Sequence, residues 1–169
     1  VKHVLIWMLL SFASYACHKS NTVTSGCDIL NTYAQNAQKV TITKGVWGTV
    51  SLMEGNCMPM VPPATNTCKH CPVQRTIKVY PYTLQQNATL VPNTASFYES
   101  FNVPAVAEIT ADANGFYEIN LPDGQYSLAI VENGKLYASG LDEQGGLNPV
   151  TINGGVQKVN LIMTYKAVF

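Results

Sequence analysis

The 169 residues suffice for one well-buried domain once an N-terminal segment is set aside, and are too few for two of ordinary size. Ten basic residues balance ten acidic ones and only 12% of the chain is charged, so no net field exists to gather nucleic acid or anionic lipid. Tyr, Thr, Val, Asn and Gly are plentiful, which is the composition of strands joined by tight turns and argues against a disordered chain.

In chain order, the opening stretch VKHVLIWMLLSFASYAC places Lys2 and His3 before an apolar run that ends in small residues ahead of Cys17. That is the layout of an export signal, too short to span a bilayer as a permanent helix. The stretch SYAC resembles a bacterial lipobox: Ala16 fits the position before the cysteine, while Ser14 and Tyr15 depart from the usual Leu and small residue. The resemblance implies cleavage of residues 1–16 and acylation of Cys17, with membrane anchoring through the lipid alone. The other reading is an ordinary secretory signal cut near Ala16, with Cys17 left as a thiol. The polar stretch HKSNTVTSG suits a spacer between lipid and fold, so 17–43 is expected to be tether and lead-in and 44–169 the domain. The location implied is a bacterial cell envelope, at an outer membrane, on its periplasmic or surface side.

Residues 28–40 have too few apolar positions at helical spacing for a clear amphipathic helix and read as an extended or weakly helical lead-in. A first strand follows in KGVWGTVSLMEG, with Val46, Gly48, Val50 and Leu52 on one face and Trp47, Thr49, Ser51 and Met53 on the other. The segment NCMPMVPPATNTCKHCP holds four prolines and three cysteines and is expected to be a long surface loop. VQRTIKVYPYT gives a second strand, in which Ile77 and Val79 alternate with Lys78, Tyr80 and Tyr82. A short strand is expected near 97–101. Further on, Asn114-Gly115, Asp123-Gly124 and Asn133-Gly134 are three turn signals, because these pairs accept the positive φ of tight hairpins. They predict consecutive antiparallel strands with Tyr117, Ile119 and Leu121 on one inner face and Tyr126, Leu128 and Ile130 on the next. The chain closes with two more strands, the last putting Val159, Leu161, Met163 and Tyr165 on one side. About seven short strands mean an all-β, antiparallel β-sandwich.

The stretch TCKHCP poses the main chemical question. Cys68, His70 and Cys71, with Cys57, could form a zinc site, although a second close pair is lacking. A redox role would need the pair at a helix N-terminus, not in a Pro-rich loop. Disulfides suit an exported chain with a long loop and are the favoured reading. With Cys17 acylated, Cys27, Cys57, Cys68 and Cys71 form an even set with three possible pairings. No Gly-x-Ser-x-Gly, His-Glu-x-x-His or phosphate-cradling loop occurs. Glu108, Asp112, Glu118 and Asp123 fall at strand ends and turns, where a solvated role is the default. The fragment DANG matches only part of a calcium loop and reads as a turn. No metal, cofactor or catalytic residue is expected. Trp47, Tyr80 and Tyr82 would form an outward aromatic platform for a glycan or peptide if the first and second strands pair.

The stretch DANGFYEINLPDGQYSLAI, with a Gly turn, an aromatic, alternating strand residues and then Leu-Pro-x-Gly-x-Tyr-x-Leu, resembles the carboxypeptidase regulatory-like domain. GVWGTV is similar to that family's first strand, and EGNCMP and KLYAS resemble an elaboration of Bacteroidetes-type lipoproteins. The resemblance covers residues 45–169. It implies a transthyretin-like (prealbumin-like) seven-stranded Greek-key sandwich, here with the long Pro/Cys loop after its first strand. In it Gly115 and Gly124 turn the chain, as Gly134 is expected to do from the residues alone, while Tyr126 and Leu128 fill the core. The function implied is a non-enzymatic, membrane-anchored accessory or interaction module with an envelope protein or glycan as partner. The rival readings are a glycan- or peptide-binding lipoprotein using Trp47, Tyr80 and Tyr82, and a zinc- or thiol-dependent protein using the Cys57/Cys68/Cys71 loop.

Overall fold

The computed structural model describes residues 27–61 and 67–169; the expected signal and Cys17 lie outside the described residues. In chain order the elements are helix α1 (Ile29–Ala37) and strands β1 (Gly45–Asn56), β2 (Lys69–Pro72), β3 (Thr76–Pro81), β4 (Ala88–Leu90), β5 (Phe97–Phe101), β6 (Ala107–Thr110), β7 (Phe116–Ile119), β8 (Gly124–Glu132), β9 (Lys135–Tyr137), β10 (Pro149–Ile152), β11 (Val156–Lys158) and β12 (Leu161–Val168).

Strand β1 is the axis of the first sheet. On one flank it pairs antiparallel with β7, from Val46↔Ile119 to Thr49↔Phe116, and then with β2, from Ser51↔Pro72 to Glu54↔Lys69. On the other it pairs parallel with β11 and then β12, Val50 opposite Leu161. Gly48 lies beside the join of β11 and β12, where an added Cβ would sit 1.7 Å from the Val159 carbonyl oxygen, so only glycine fits. The second sheet runs β4-β5-β9-β8-β3-β6, with β10 also on β8, and every pairing in it is antiparallel.

Between the sheets Val46 and Val50 of β1 and Leu161 and Met163 of β12 meet Ile77 and Val79 of β3 and Leu128 and Ile130 of β8, all buried. The alternation read from the sequence is therefore the alternation of the sandwich core. Tyr117 and Leu121 are buried in that core, and Ile119, Tyr126, Val159 and Tyr165 pack against it.

Four expectations change. The turn signals do not make three hairpins: only Asn133-Gly134 does, with φ of +52° and +74° between the paired Glu132 and Lys135. Asn114-Gly115 carries the chain from β6 in the second sheet to β7 in the first, and after Asp123 the chain returns to the second sheet as Gly124 opens β8. A glycine turn encodes a reversal of direction, not the sheet the next strand joins, and alternation buries an apolar face either way. The first sheet is also not purely antiparallel, because β11 and β12 run parallel to β1, and the strand segments outnumber the expected seven. Residues 29–37 are a helix, capped by the Asp28 side chain accepting from the Asn31 N–H at 2.9 Å. Finally, the Pro/Cys segment ends as β2, because three of its four prolines precede Lys69 and the fourth, Pro72, is the strand's last residue.

Candidate functional site

Cys27 is bonded to Cys71 and Cys57 to Cys68, so all four candidate cysteines are in disulfides. The two cysteines of the Cys-x-x-Cys pair take different partners for a geometric reason: along extended backbone, residues three apart are separated by roughly 10 Å. With the sulfurs bonded, the stretch offers no thiolate to a metal or a redox substrate. Among the described residues no group of three or more His, Cys, Asp or Glu could hold a metal ion. His70 sits on β2 with Nε2 2.8 Å from Ser51 Oγ and its ring edge-on to Tyr33, and burial pushes its pKa down.

This places His70 in a layer that the sequence did not advertise. Helix α1 covers the outer face of the first sheet, turning Ile29, Thr32, Tyr33 and Asn36 inward. Their i, i+3, i+4, i+7 spacing is helical, but only Ile29 is aliphatic, which is why the hydrophobic pattern was silent. Asn36 is fully buried and donates to Thr49 Oγ1 at 2.9 Å and to the Asn114 carbonyl at 3.0 Å. Beside it Lys158 Nζ lies 5.2 Å from the Trp47 ring centroid and 5.9 Å from that of Tyr33.

The three platform aromatics are not brought together, because β1 and β3 lie in different sheets. Trp47 belongs to the layer under α1. Tyr80 faces away from Ile77 and Val79 as expected, yet it is buried in a second apolar cluster on the outer face of the second sheet, 4.7 Å from the Phe101 ring and alongside Tyr98, Leu136 and Leu147. Tyr82 covers Gly146, where an added Cβ would lie 2.3 Å from its ring, and donates to Asp142 at 2.9 Å.

The carboxylates are engaged, not merely solvated. Asp112 Oδ1 accepts from the Asn114 and Phe116 amides at 2.8 and 2.9 Å, and its Oδ2 meets Lys39 at 2.7 Å. Asp142 repeats the arrangement with the amides of Gln144 and Gly146 and with Tyr82. In both loops a glycine three residues on, Gly115 or Gly145, donates back to the aspartate carbonyl at positive φ. The DANG fragment thus spends its carboxylate on its own loop and on Lys39. Burial pushes the Asp112 carboxyl up, but Lys39 and the two amides outweigh it and hold it below the ordinary value. Glu118 fastens the lead-in, accepting from Thr41 N and Oγ1 at 2.8 and 2.5 Å. Glu108 meets Lys78 at 3.6 Å, and Asp123 accepts from the Gly154 amide and meets Lys44.

One partly buried ionic cluster leaves no mark in the local sequence pattern. Glu132, at the end of β8, is contacted by the Arg75 guanidinium and by the Tyr165 hydroxyl, the latter at 2.6 Å. These partners come from β12 and from the approach to β3, so no local spacing reveals them.

The described clefts are open and shallow. One, about 430 Å³, lies at the end of the first sheet between Glu54, Gly55, Thr67, Lys69 and Lys166. Another, about 360 Å³, lies along the opening between β6 and β7. Among the described residues, neither cleft has a hydrogen bond joining a nucleophile to a base. No family model, curated protein or solved structure matches the chain.

Proposed function

We propose that the chain is a non-enzymatic module of a bacterial cell envelope, held to an outer membrane through lipid on Cys17 and offering its surface to an envelope protein or glycan. In this reading the sandwich is of the carboxypeptidase regulatory-like, transthyretin-like Greek-key type. The observation that carries the reading is the pairing of Cys27 with Cys71 and of Cys57 with Cys68. Disulfides of this kind persist in oxidising compartments outside the cytoplasm, and the export-type N-terminal segment supplies the route there. Support for a non-enzymatic role comes from the carboxylates, whose partners are ion pairs, loop amides and hydroxyls that fix structure.

The test is the intact mass of the envelope-purified protein, with thiol alkylation before and after reduction. The expected result is an acylated N-terminal Cys17 and four cysteines that alkylate only after reduction. A mature chain with an unmodified Cys17, or thiols that react in the native protein, overturns the reading.

A further inference from the structure

Strand edges on this molecule are not equally open to pairing. The free side of β12 is broken where Thr164 and Tyr165 together oppose Met53, and the Thr164 amide donates to the Tyr137 hydroxyl at 3.0 Å. Strand β4 has a register shift within three residues, and on β7 the Phe116 amide and carbonyl are both bonded to Asp112. Such interruptions keep an edge from pairing with other chains. Strand β6 has none of them. It is the last strand of the second sheet and pairs with β3 in unbroken register from Thr76↔Thr110 to Val79↔Ala107. One step beyond, the Ala111 amide donates to the Arg75 carbonyl at 2.9 Å. Backbone groups alternate along a strand, so Ala107 and Ile109 also face β3, while the amides and carbonyls of Glu108 and Thr110 face away from the sheet.

This free edge borders the cleft of about 360 Å³ between β6 and β7. Ile109, Ala111, Phe116 and Tyr117 give the cleft an apolar lining, and its charged lining residues are Asp112 and Glu118. Lys39 neutralises Asp112, whereas Glu118 is met by the Thr41 amide and hydroxyl and the Ile42 amide, all of them neutral. Burial pushes the Glu118 carboxyl up, but those three donors outweigh it and hold it below its ordinary value. The cleft therefore carries a net negative charge near neutrality. We propose that the edge of β6 takes up an extended peptide segment of a partner protein, which adds a strand to the second sheet and brings a Lys or Arg side chain to Glu118. Main-chain bonds to Glu108 and Thr110 supply the attachment, and alternate side chains of the added strand lie over the apolar lining. A second copy suits the edge less well than a cationic segment, because two strands β6 would bring two Glu108 carboxylates to one short ladder. The inference rests on the proposed role as an interaction module and names a peptide segment, not a glycan, as what this surface holds.

The test follows backbone amide NMR shifts of the exported chain, both disulfides formed, on addition of two synthetic probes, Ac-Lys-Val-Lys-Val-Lys-amide and Ac-Glu-Val-Glu-Val-Glu-amide. The lysine probe is expected to shift the Glu108 and Thr110 amides, and the glutamate probe to bind at least about tenfold more weakly. Glu118→Gln is expected to weaken the lysine probe about two- to fivefold. Thr110→Pro should abolish binding while leaving the urea midpoint near that of the parent chain, because the amide it removes faces away from β3. Thr110→Val, which keeps the amide, should bind as the parent does. Unmoved Glu108 and Thr110 amides at millimolar lysine probe, equal binding of the two probes, or binding that survives Thr110→Pro overturns the proposal. A Thr110→Pro chain that unfolds would place that amide in the β3 ladder and overturn it as well. So would shifts of the same amides that follow protein concentration without any probe, since the edge would then serve a second copy. An unmodified Cys17 in the native protein would overturn the anchoring reading and leave these binding results standing.

Discussion

Glu132 is 3% exposed and contacts both Arg75 and Tyr165. Burial alone would raise its pKa, but the Arg75 guanidinium, the Tyr165 hydroxyl and the charge of Lys166 outweigh burial and hold the carboxyl below its ordinary 4.5. The same contact, after burial, pushes Tyr165 up to about 12. A carboxyl depressed in the folded state binds fewer protons there than in the unfolded chain. Its stabilisation is therefore complete above pH 4.5 and is lost as the pH falls through the folded value. Glu132→Gln is expected to flatten this acid limb and to cost about 1–3 kcal/mol near neutrality. The cost should fall at the low end, because the Arg75 side chain is 34% exposed and solvent screens the pair. Urea midpoints between pH 3 and 7 check it, and an acid limb as steep as that of the parent chain would assign the acid sensitivity to other carboxylates. Glu132 also shows what local sequence hides: its place before Asn133-Gly134 announces a turn, whereas its partners lie far off in the chain.

At the scale of elements, legibility followed the chemistry of the buried face. Strands β1, β3, β8 and β12 bury aliphatic residues at period two, and their inner faces were readable from alternation. Helix α1 half-buries Thr32 and Tyr33 and fully buries Asn36, which donates to Thr49 of β1, and a polar interface leaves no hydrophobic period to read. Such a helix gains little from apolar burial and depends on its ties. The Cys27–Cys71 bond closes a separation of 44 residues and Cys57–Cys68 one of 11. In the chain-entropy account these correspond to about 4 and about 3 kcal/mol respectively. The double variant Cys27→Ser/Cys71→Ser is therefore expected to lose more stability than Cys57→Ser/Cys68→Ser. It should also, uniquely of the two, speed amide exchange across Ile29–Ala37 while β1 and β8 keep their protection. Equal exchange of α1 in both variants would show that Asn36 and Glu118 hold the lead-in without the disulfide.

On the whole molecule, the β1–β12 pairing governs how the domain closes. Val50 lies near the start of the described chain and Leu161 near its end, so this parallel ladder, together with that of β11, requires the longest loop closures in the first sheet. The β3–β8 pairing, Val79 opposite Leu128, joins segments much closer in sequence. Loop-closure entropy opposes the longer contact until other contacts compensate for it, and topologies of this kind fold in milliseconds to seconds. The physical expectation is that the second sheet and its β8–β9 hairpin form first and that β12 docks onto β1 late. Met163 is fully buried on β12 and Val79 almost so on β3, which makes them probes of the two events. Met163→Ala should cost about 2–5 kcal/mol and act mainly by speeding unfolding. Val79→Ala should act mainly by slowing refolding. Stopped-flow chevrons with both disulfides intact separate the two. Slower refolding in Met163→Ala would put the closing strand inside the folding nucleus and reverse the order of assembly.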